Sequence, residues 1–216
     1  LRGKSQVLPL GLDLVRFDAH RPRQATTGRP LILWNHRWEY DKDPETFFRA
    51  IYALADEGLS FGLILLGESF RNWPAEFLEA RQRLARHIVH FGYAEDAETY
   101  ARLLWQADVV VSTALHEFFG AAIIEACHCG CFPILPRRLS YPELIPAAHQ
   151  DDCLYDDLDG LLDRLRHAIL QIEKVRAFSL QRHVYAFDWR CLADDYDDLF
   201  EALVTGKGRE ALGSTA

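Results

Sequence analysis

Two carboxylates, Glu117 and Glu125, stand with seven residues between them in the stretch Thr113 to Cys131, TALHEFFGAAIIEACHCGC. A buried apolar run, Asp108 to Ser112, ends just before it, and Phe118-Phe119-Gly120 leads into the apolar segment that holds Glu125. The pattern predicts a strand, then a loop carrying the first acid, then a helix that opens at a glycine. A helix start presents unpaired N–H groups and the positive end of its dipole, a natural seat for phosphate. At about 1.5 Å of rise per residue, Gly120 and Glu125 both fall near that start. One acid before an anion seat and one just inside it suits a ligand with a phosphate centre and hydroxyls on both sides. A nucleotide sugar is such a ligand.

Two cations, Arg37 and Lys42, lie five apart in the stretch Asn35 to Lys42, NHRWEYDK. An arginine can grip a phosphate with two parallel hydrogen bonds, and a lysine acts as a point charge. Together they could reach both phosphates of a diphosphate; the plainer alternative is two solvated surface charges. Glu125 sits in the apolar segment AAIIEA, and a buried acid needs partners; a loop amide or a pair of ribose hydroxyls would serve. Glu117 could touch a sugar hydroxyl or stabilise positive charge at an anomeric carbon, or be an exposed loop acid. His116 could act as a general base or as a hydrogen-bonded positioner, and His36 is open to the same two readings.

These residues need a frame that brings separate loops together. Apolar runs at 31–34, 61–66, 88–91, 108–111, 132–135 and 153–155 read as short buried strands. Helical spacing or caps occupy 44–57, 74–86, 96–107, 119–129, 158–173 and 187–203, with a shorter turn or helix at 142–145. Strands that are apolar throughout and alternate with helices imply an α/β fold, a parallel sheet covered on both faces. Ligands of such sheets bind at the carboxyl ends of the strands. The polar stretches NHRWEYDK, GESFRNW, GYAED and TALHEFFG each follow a strand, so all four are expected along one edge.

The chain has 216 residues, 49% hydrophobic and 26% charged, enough for one globular domain or slightly more. A net charge of −8 speaks against a generally basic nucleic-acid-binding body, and no run approaches the length of a membrane span. Arg71, Arg81, Arg83 and Arg86 could form a basic face, but a solvated helix surface is the simpler reading. Cys127, Cys129 and Cys131 crowd together among five cysteines. That spacing fits reduced, buried packing thiols rather than disulfides or a zinc set. The paired aspartates at 151–152, 156–157, 194–195 and 197–198 read as solvated faces and helix caps.

The segments HRWEYDKDPE, LLGESF, HFGYAED, ADVVVSTALHEFFGAAIIEACHCGCFPILP and YPELIP resemble the donor-binding half of retaining glycosyltransferases of family 4. The resemblance runs from about Leu31 to Trp189. It implies a Rossmann-like parallel sheet with helices on both faces, the C-terminal half of a GT-B glycosyltransferase. It also implies donor-binding roles for Arg37, Lys42, Tyr93, His116, Glu117, Phe119, Gly120 and Glu125. In that group an Arg and a Lys five apart hold the diphosphate. The first glutamate goes with the donor sugar and the second with the ribose. Amides around Phe119 and Gly120 contact phosphate, and Gly92-Tyr93 lies near the base. Glu117, Arg37 and Lys42 are the implied catalytic set, with no metal and no cofactor beyond the nucleotide sugar. The wording HRWEYDKDPE with HEFFG and CGC-P narrows the resemblance to the tRNA-queuosine α-mannosyltransferase family. That family transfers mannose from GDP-mannose to queuosine in tRNA-Asp, a cytoplasmic reaction.

The same resemblance divides the chain. Residues 1–30 are expected as an interdomain lead-in and linker, and 31–186 as the nucleotide-sugar domain. Residues 187–204 are expected as a helix packing toward an N-terminal domain, and 205–216 as a tail. Leu1 is no natural start and the sequence holds no Met, so the chain is read as a fragment, or as one with Met replaced. A fragment of this kind is expected to turn over little alone, and tRNA enters only through the full-length protein. The rival readings are a family 4 enzyme with another donor and a non-tRNA acceptor, a sugar-nucleotide epimerase or phosphorylase-like relative, and a non-catalytic nucleotide-sugar module.

Overall fold

A computed structural model describes residues 7–22, 28–68 and 73–205. Six strands form one parallel sheet: β1 (Leu31–Asn35), β2 (Gly62–Leu66), β3 (Ile88–Gly92), β4 (Val109–Val111), β5 (Phe132–Pro136) and β6 (Leu154–Tyr155). Their spatial order is β3-β2-β1-β4-β5-β6. The order reverses direction between β1 and β4, and in a doubly wound sheet that point opens a crevice at the carboxyl ends.

The helices are α1 (Pro44–Asp56), α2 (Ala75–Arg83), α3 (Ala97–Gln106), α4 (Ala121–His128) and α5 (Tyr141–Leu144). They continue with α6 (Gln150–Cys153), α7 (Leu158–Leu170), α8 (Ile172–Ala177), α9 (Gln181–Val184) and α10 (Trp189–Thr205). Caps explain several starts. Asp43 accepts from the Thr46 N–H ahead of Pro44, Asp96 from Thr99, and Asp157 from Gly160. Strand residues alternate between two cores. Ile32, Trp34, Leu63, Leu65, Val109 and Val111 pack with Phe47, Ile51, Phe77 and Leu165. Leu33, Ile64, Leu66 and Val110 pack with Leu104, Ile123, Ile124 and Cys127 on the other face. Both faces are covered, which is why the strands read as unbroken apolar runs.

The expected linker is more ordered than its polar composition implied. Val15–His20 is a 3-10 helix with Phe17 buried, and the Trp105 indole donates to the Phe17 carbonyl (2.8 Å). Leu12 bridges to Asp188, whose buried carboxylate accepts from the Leu14 N–H. The lead-in and the start of α10 are therefore joined through one buried acid. Local composition hid this because the segment's partners, Trp105, Glu125, His128 and Asp188, lie far along the chain. Arg71, Ser69 and Phe70 of the expected loop and helix, and the tail beyond residue 205, lie outside the described residues. Arg81 covers the Trp73 and Phe91 rings, and Arg83 pairs with Asp56. The cysteines at 127, 129, 131 and 153 are buried and unbridged, and burial pushes their thiols upward, Cys153 to about 12. No helix among the described residues is long and apolar enough to cross a membrane.

Asp108, just before β4, accepts from the Leu31 N–H (2.8 Å) and takes the Arg176 guanidinium on both carboxylate oxygens (2.8 and 3.3 Å). It ties β1, β4 and α8 at the end of the sheet away from the crevice. Asp108→Ala leaves a strand amide unpaired and the Arg176 guanidinium with only the exposed Glu173 and the Gly28 carbonyl, and is expected to lower unfolding free energy by about 3 kcal/mol in urea titration. A loss below about 0.5 kcal/mol would contradict this role.

Candidate functional site

The crevice at the carboxyl ends holds a cavity of about 660 Å³. Its walls come from four loops: Asn35, His36, Arg37, Asp41 and Lys42 after β1, Gly67 and Glu68 after β2, Tyr93 to Ala97 after β3, and His116 to Phe118 after β4. Ala121 and Ala122 at the start of α4, and Tyr100 on α3, complete it. All four of the polar stretches expected at one edge contribute to this cavity.

The loops after β1 and β4 are locked together. The Leu115 and His116 N–H groups donate to the Asp41 carbonyl (2.8 and 3.3 Å). The Thr113 hydroxyl donates to the carbonyls of Lys42 and Asp43 (2.7 and 2.9 Å), and Arg138 holds the Thr113 and Ala114 carbonyls. Asp43 turns the chain at a left-handed φ of 49°, a conformation a short polar residue tolerates. That turn points Lys42 inward. Gly67 is required for a close approach: a Cβ there would collide with the His36 carbonyl and the Trp38 ring.

Lys42 is buried and donates to the His116 carbonyl (2.7 Å) and to Glu117 Oε2 (3.3 Å), with Asp41 at 3.5 Å. Arg37 is more than half exposed and pairs with Glu39 at 3.2 Å. Arg37, Lys42, Tyr93, His116 and Glu117 all line the one cavity. Burial alone would push the Glu117 carboxyl up, but the Lys42 charge and the amides of Phe119 and Gly120 overcome it and hold the group below its usual range. His36 is buried between Trp34 and the Lys42 charge; desolvation first, and Lys42 second, bring its pKa down to about 4. It is a neutral imidazole at pH 7.

Three expected donor residues sit elsewhere. The N–H groups of Phe118, Phe119 and Gly120 donate to Glu117 Oε1 (3.0, 3.3 and 3.1 Å), so these amides are occupied by the chain's own carboxylate. The Phe119 ring packs on Phe187, with centroids 5.6 Å apart. Gly120 is the left-handed N-cap of α4, at φ 90°, and does not line the cavity. The donors a helix start leaves over are the next ones, Ala121 and Ala122, and both residues line the cavity. Local spacing could not show that Glu117 folds back onto the amides ahead of α4. Glu125 also lies behind the wall rather than in it. Its carboxylate takes Arg16 (2.8 Å) and the Tyr100 hydroxyl (2.7 Å). Burial raises its pKa, against the opposing pull of Tyr100 and Arg16. Sequence reading missed Asn35, Tyr100 and Arg16; their partners are far away in the chain, so no local spacing reports them.

Residues 15–169 match the family described as glycosyl transferases group 1. The chain belongs to that family. It is 39% identical over 169 residues to a tRNA-queuosine alpha-mannosyltransferase of Drosophila melanogaster, covering 75% of this chain and 44% of that protein. It is 28% identical over 189 residues to a GDP-mannose-dependent alpha-(1-6)-phosphatidylinositol dimannoside mannosyltransferase of Mycobacterium tuberculosis, covering 85% and 48%. The fold is that of sucrose-phosphate synthase from Thermosynechococcus elongatus, with a TM-score of 0.73 at 19% identity, covering 93% of this chain and 53% of that one. This group 1 glycosyltransferase chain therefore has the sheet of one GT-B half, and it spans about half the length of the curated relatives it matches.

The neutral His36 has a measurable consequence in this glycosyltransferase chain. The unfolded chain takes up a proton near pH 6.5, whereas folded His36 resists it until about 4. Its contribution is therefore fully present above about pH 6.5 and is lost as pH falls toward 4, by roughly 3 kcal/mol. His36→Gln should flatten stability against pH over this window, read by urea unfolding at several pH values. Parallel curves for the two proteins would refute the assignment.

Proposed function

We propose that this chain is the donor-binding half of a retaining mannosyltransferase that uses GDP-mannose and, in the full-length protein, delivers mannose to queuosine in tRNA-Asp. The observation that carries the reading is the convergence of Arg37, Lys42, Glu117 and the α4 start on one cavity at the switch point of the sheet. The 39% identity to a tRNA-queuosine alpha-mannosyltransferase favours this donor and acceptor over others in the family.

In this reading the diphosphate lies between Arg37, Lys42 and the Ala121 and Ala122 amides. The bond from the anomeric carbon to the β-phosphate oxygen breaks, and its electron pair leaves with GDP. Charge growing on that diphosphate is met by two cations and a helix dipole already in place, so no metal is needed to neutralise it. The acceptor hydroxyl oxygen then bonds the anomeric carbon on the face the diphosphate leaves, its proton passing to the departing diphosphate oxygen, which retains configuration. Glu117 positions the sugar, and its negative charge stabilises positive charge growing at that carbon. Tyr93, exposed at the rim, faces the base. A tRNA acceptor goes with a cytoplasmic site of action.

Arg37→Ala is expected to cut mannose transfer by about 10²-fold or more while leaving the unfolding midpoint unchanged, since its partner is a surface acid. Lys42→Ala should lose at least as much. Mass spectrometry of queuosine-containing tRNA incubated with GDP-mannose and the full-length protein reads both. No mannosylated nucleoside from the wild-type protein, or wild-type rates in both variants, would overturn the proposal.

A further inference from the structure

Phe118 and Phe119 are chain neighbours with opposite surroundings. Phe119 is partly buried, packs on Phe187 and joins the core around α4. Phe118 is 96% exposed and lines the cavity. A single exposed apolar side chain on a protein surface is ordinary. Two observations set this one apart from that background. It stands at the mouth of the cavity, one residue after Glu117. Its backbone is also held: the Phe118 N–H donates to Glu117 Oε1 (3.0 Å), and Lys42 holds the other oxygen of that carboxylate (3.3 Å). The ring is therefore rooted at a fixed point, and packing within the described domain does not account for it.

We infer that Phe118 is a specificity-determining residue for the acceptor, its ring stacking on the nucleoside that receives the sugar. The inference rests on the function proposed above. Sheet order assigns the two ends of the cavity. Tyr93 follows β3 and Phe118 follows β4, with β2 and β1 between them. At about 4.8 Å per strand spacing, the two loops stand roughly 14 Å apart. With the base at the Tyr93 end and the diphosphate between Arg37, Lys42 and the start of α4, the transferred sugar lies at the Phe118 end, beside Glu117. The group that must come up to the sugar there is the acceptor. The face of a phenyl ring is electron-rich, so it is a poor partner for phosphate and a good one for a flat, uncharged ring. Unpaired RNA bases are held by the same contact, stacked on exposed aromatic side chains. A part of the protein outside this chain is the rival occupant; it would make Phe118 a stability residue instead.

The test is steady-state kinetics of the full-length protein with GDP-mannose and queuosine-containing tRNA. Phe118→Ala keeps the backbone N–H that seats Glu117 and removes only the ring. It is expected to raise KM for tRNA about tenfold or more, with KM for GDP-mannose and the unfolding midpoint at their wild-type values. Phe118→Trp keeps a stacking face and should return the tRNA KM most of the way to wild type. An unchanged tRNA KM in Phe118→Ala overturns the role of Phe118. So does a rise confined to the KM for GDP-mannose, or a lowered unfolding midpoint with the tRNA KM unchanged. Each of these leaves the donor site standing. No transfer by the wild-type protein overturns the proposed function itself, and the acceptor role of Phe118 with it.

Discussion

Lys42 is the constraint on which the site depends. It comes from the loop after β1, and its ammonium is seated on the carbonyl of His116 and the carboxylate of Glu117 in the loop after β4. These two strands are the neighbours at which the sheet reverses its order. A buried ammonium is tolerated only when its hydrogen bonds are satisfied, so the two loops cannot separate without exposing an unpaired charge. The backbone bonds from Leu115 and His116 to Asp41 then follow the same geometry.

The same interaction sets the charge state of the crevice. Glu117 lies between Lys42 and three backbone N–H groups, a place where an anion is stabilised from both sides. One of the chain's own carboxylates thus occupies these amides, and α4 begins four residues after it. His36 responds to the same field from the opposite direction. Burial first, and the Lys42 charge second, lower its pKa to about 4, so it is a neutral ring against Trp34 at pH 7.

Glycosyltransferase membership and the GT-B half fit this arrangement. The chain spans about half the length of the curated relatives it matches. The lead-in and α10 meet at Asp188 on the border of the described domain. Mannosyl chemistry is named in relatives at 39% and 28% identity.

The alternation of apolar strands with capped helices was readable along the chain, because each depends on neighbours within a few residues. So were the four loops at one edge, since a parallel sheet forces every strand's carboxyl end to the same side. Arg37, Lys42 and Glu117 could be singled out from type and spacing. Glu117 folding onto its own helix start, Glu125 retreating behind Tyr100, and Arg16 reaching it from a stretch that reads as linker could not. Those arrangements join residues 25 and 109 positions apart, or turn on one side-chain rotamer. Only packing in three dimensions selects them, because local propensity is silent about which distant partner satisfies a buried charge.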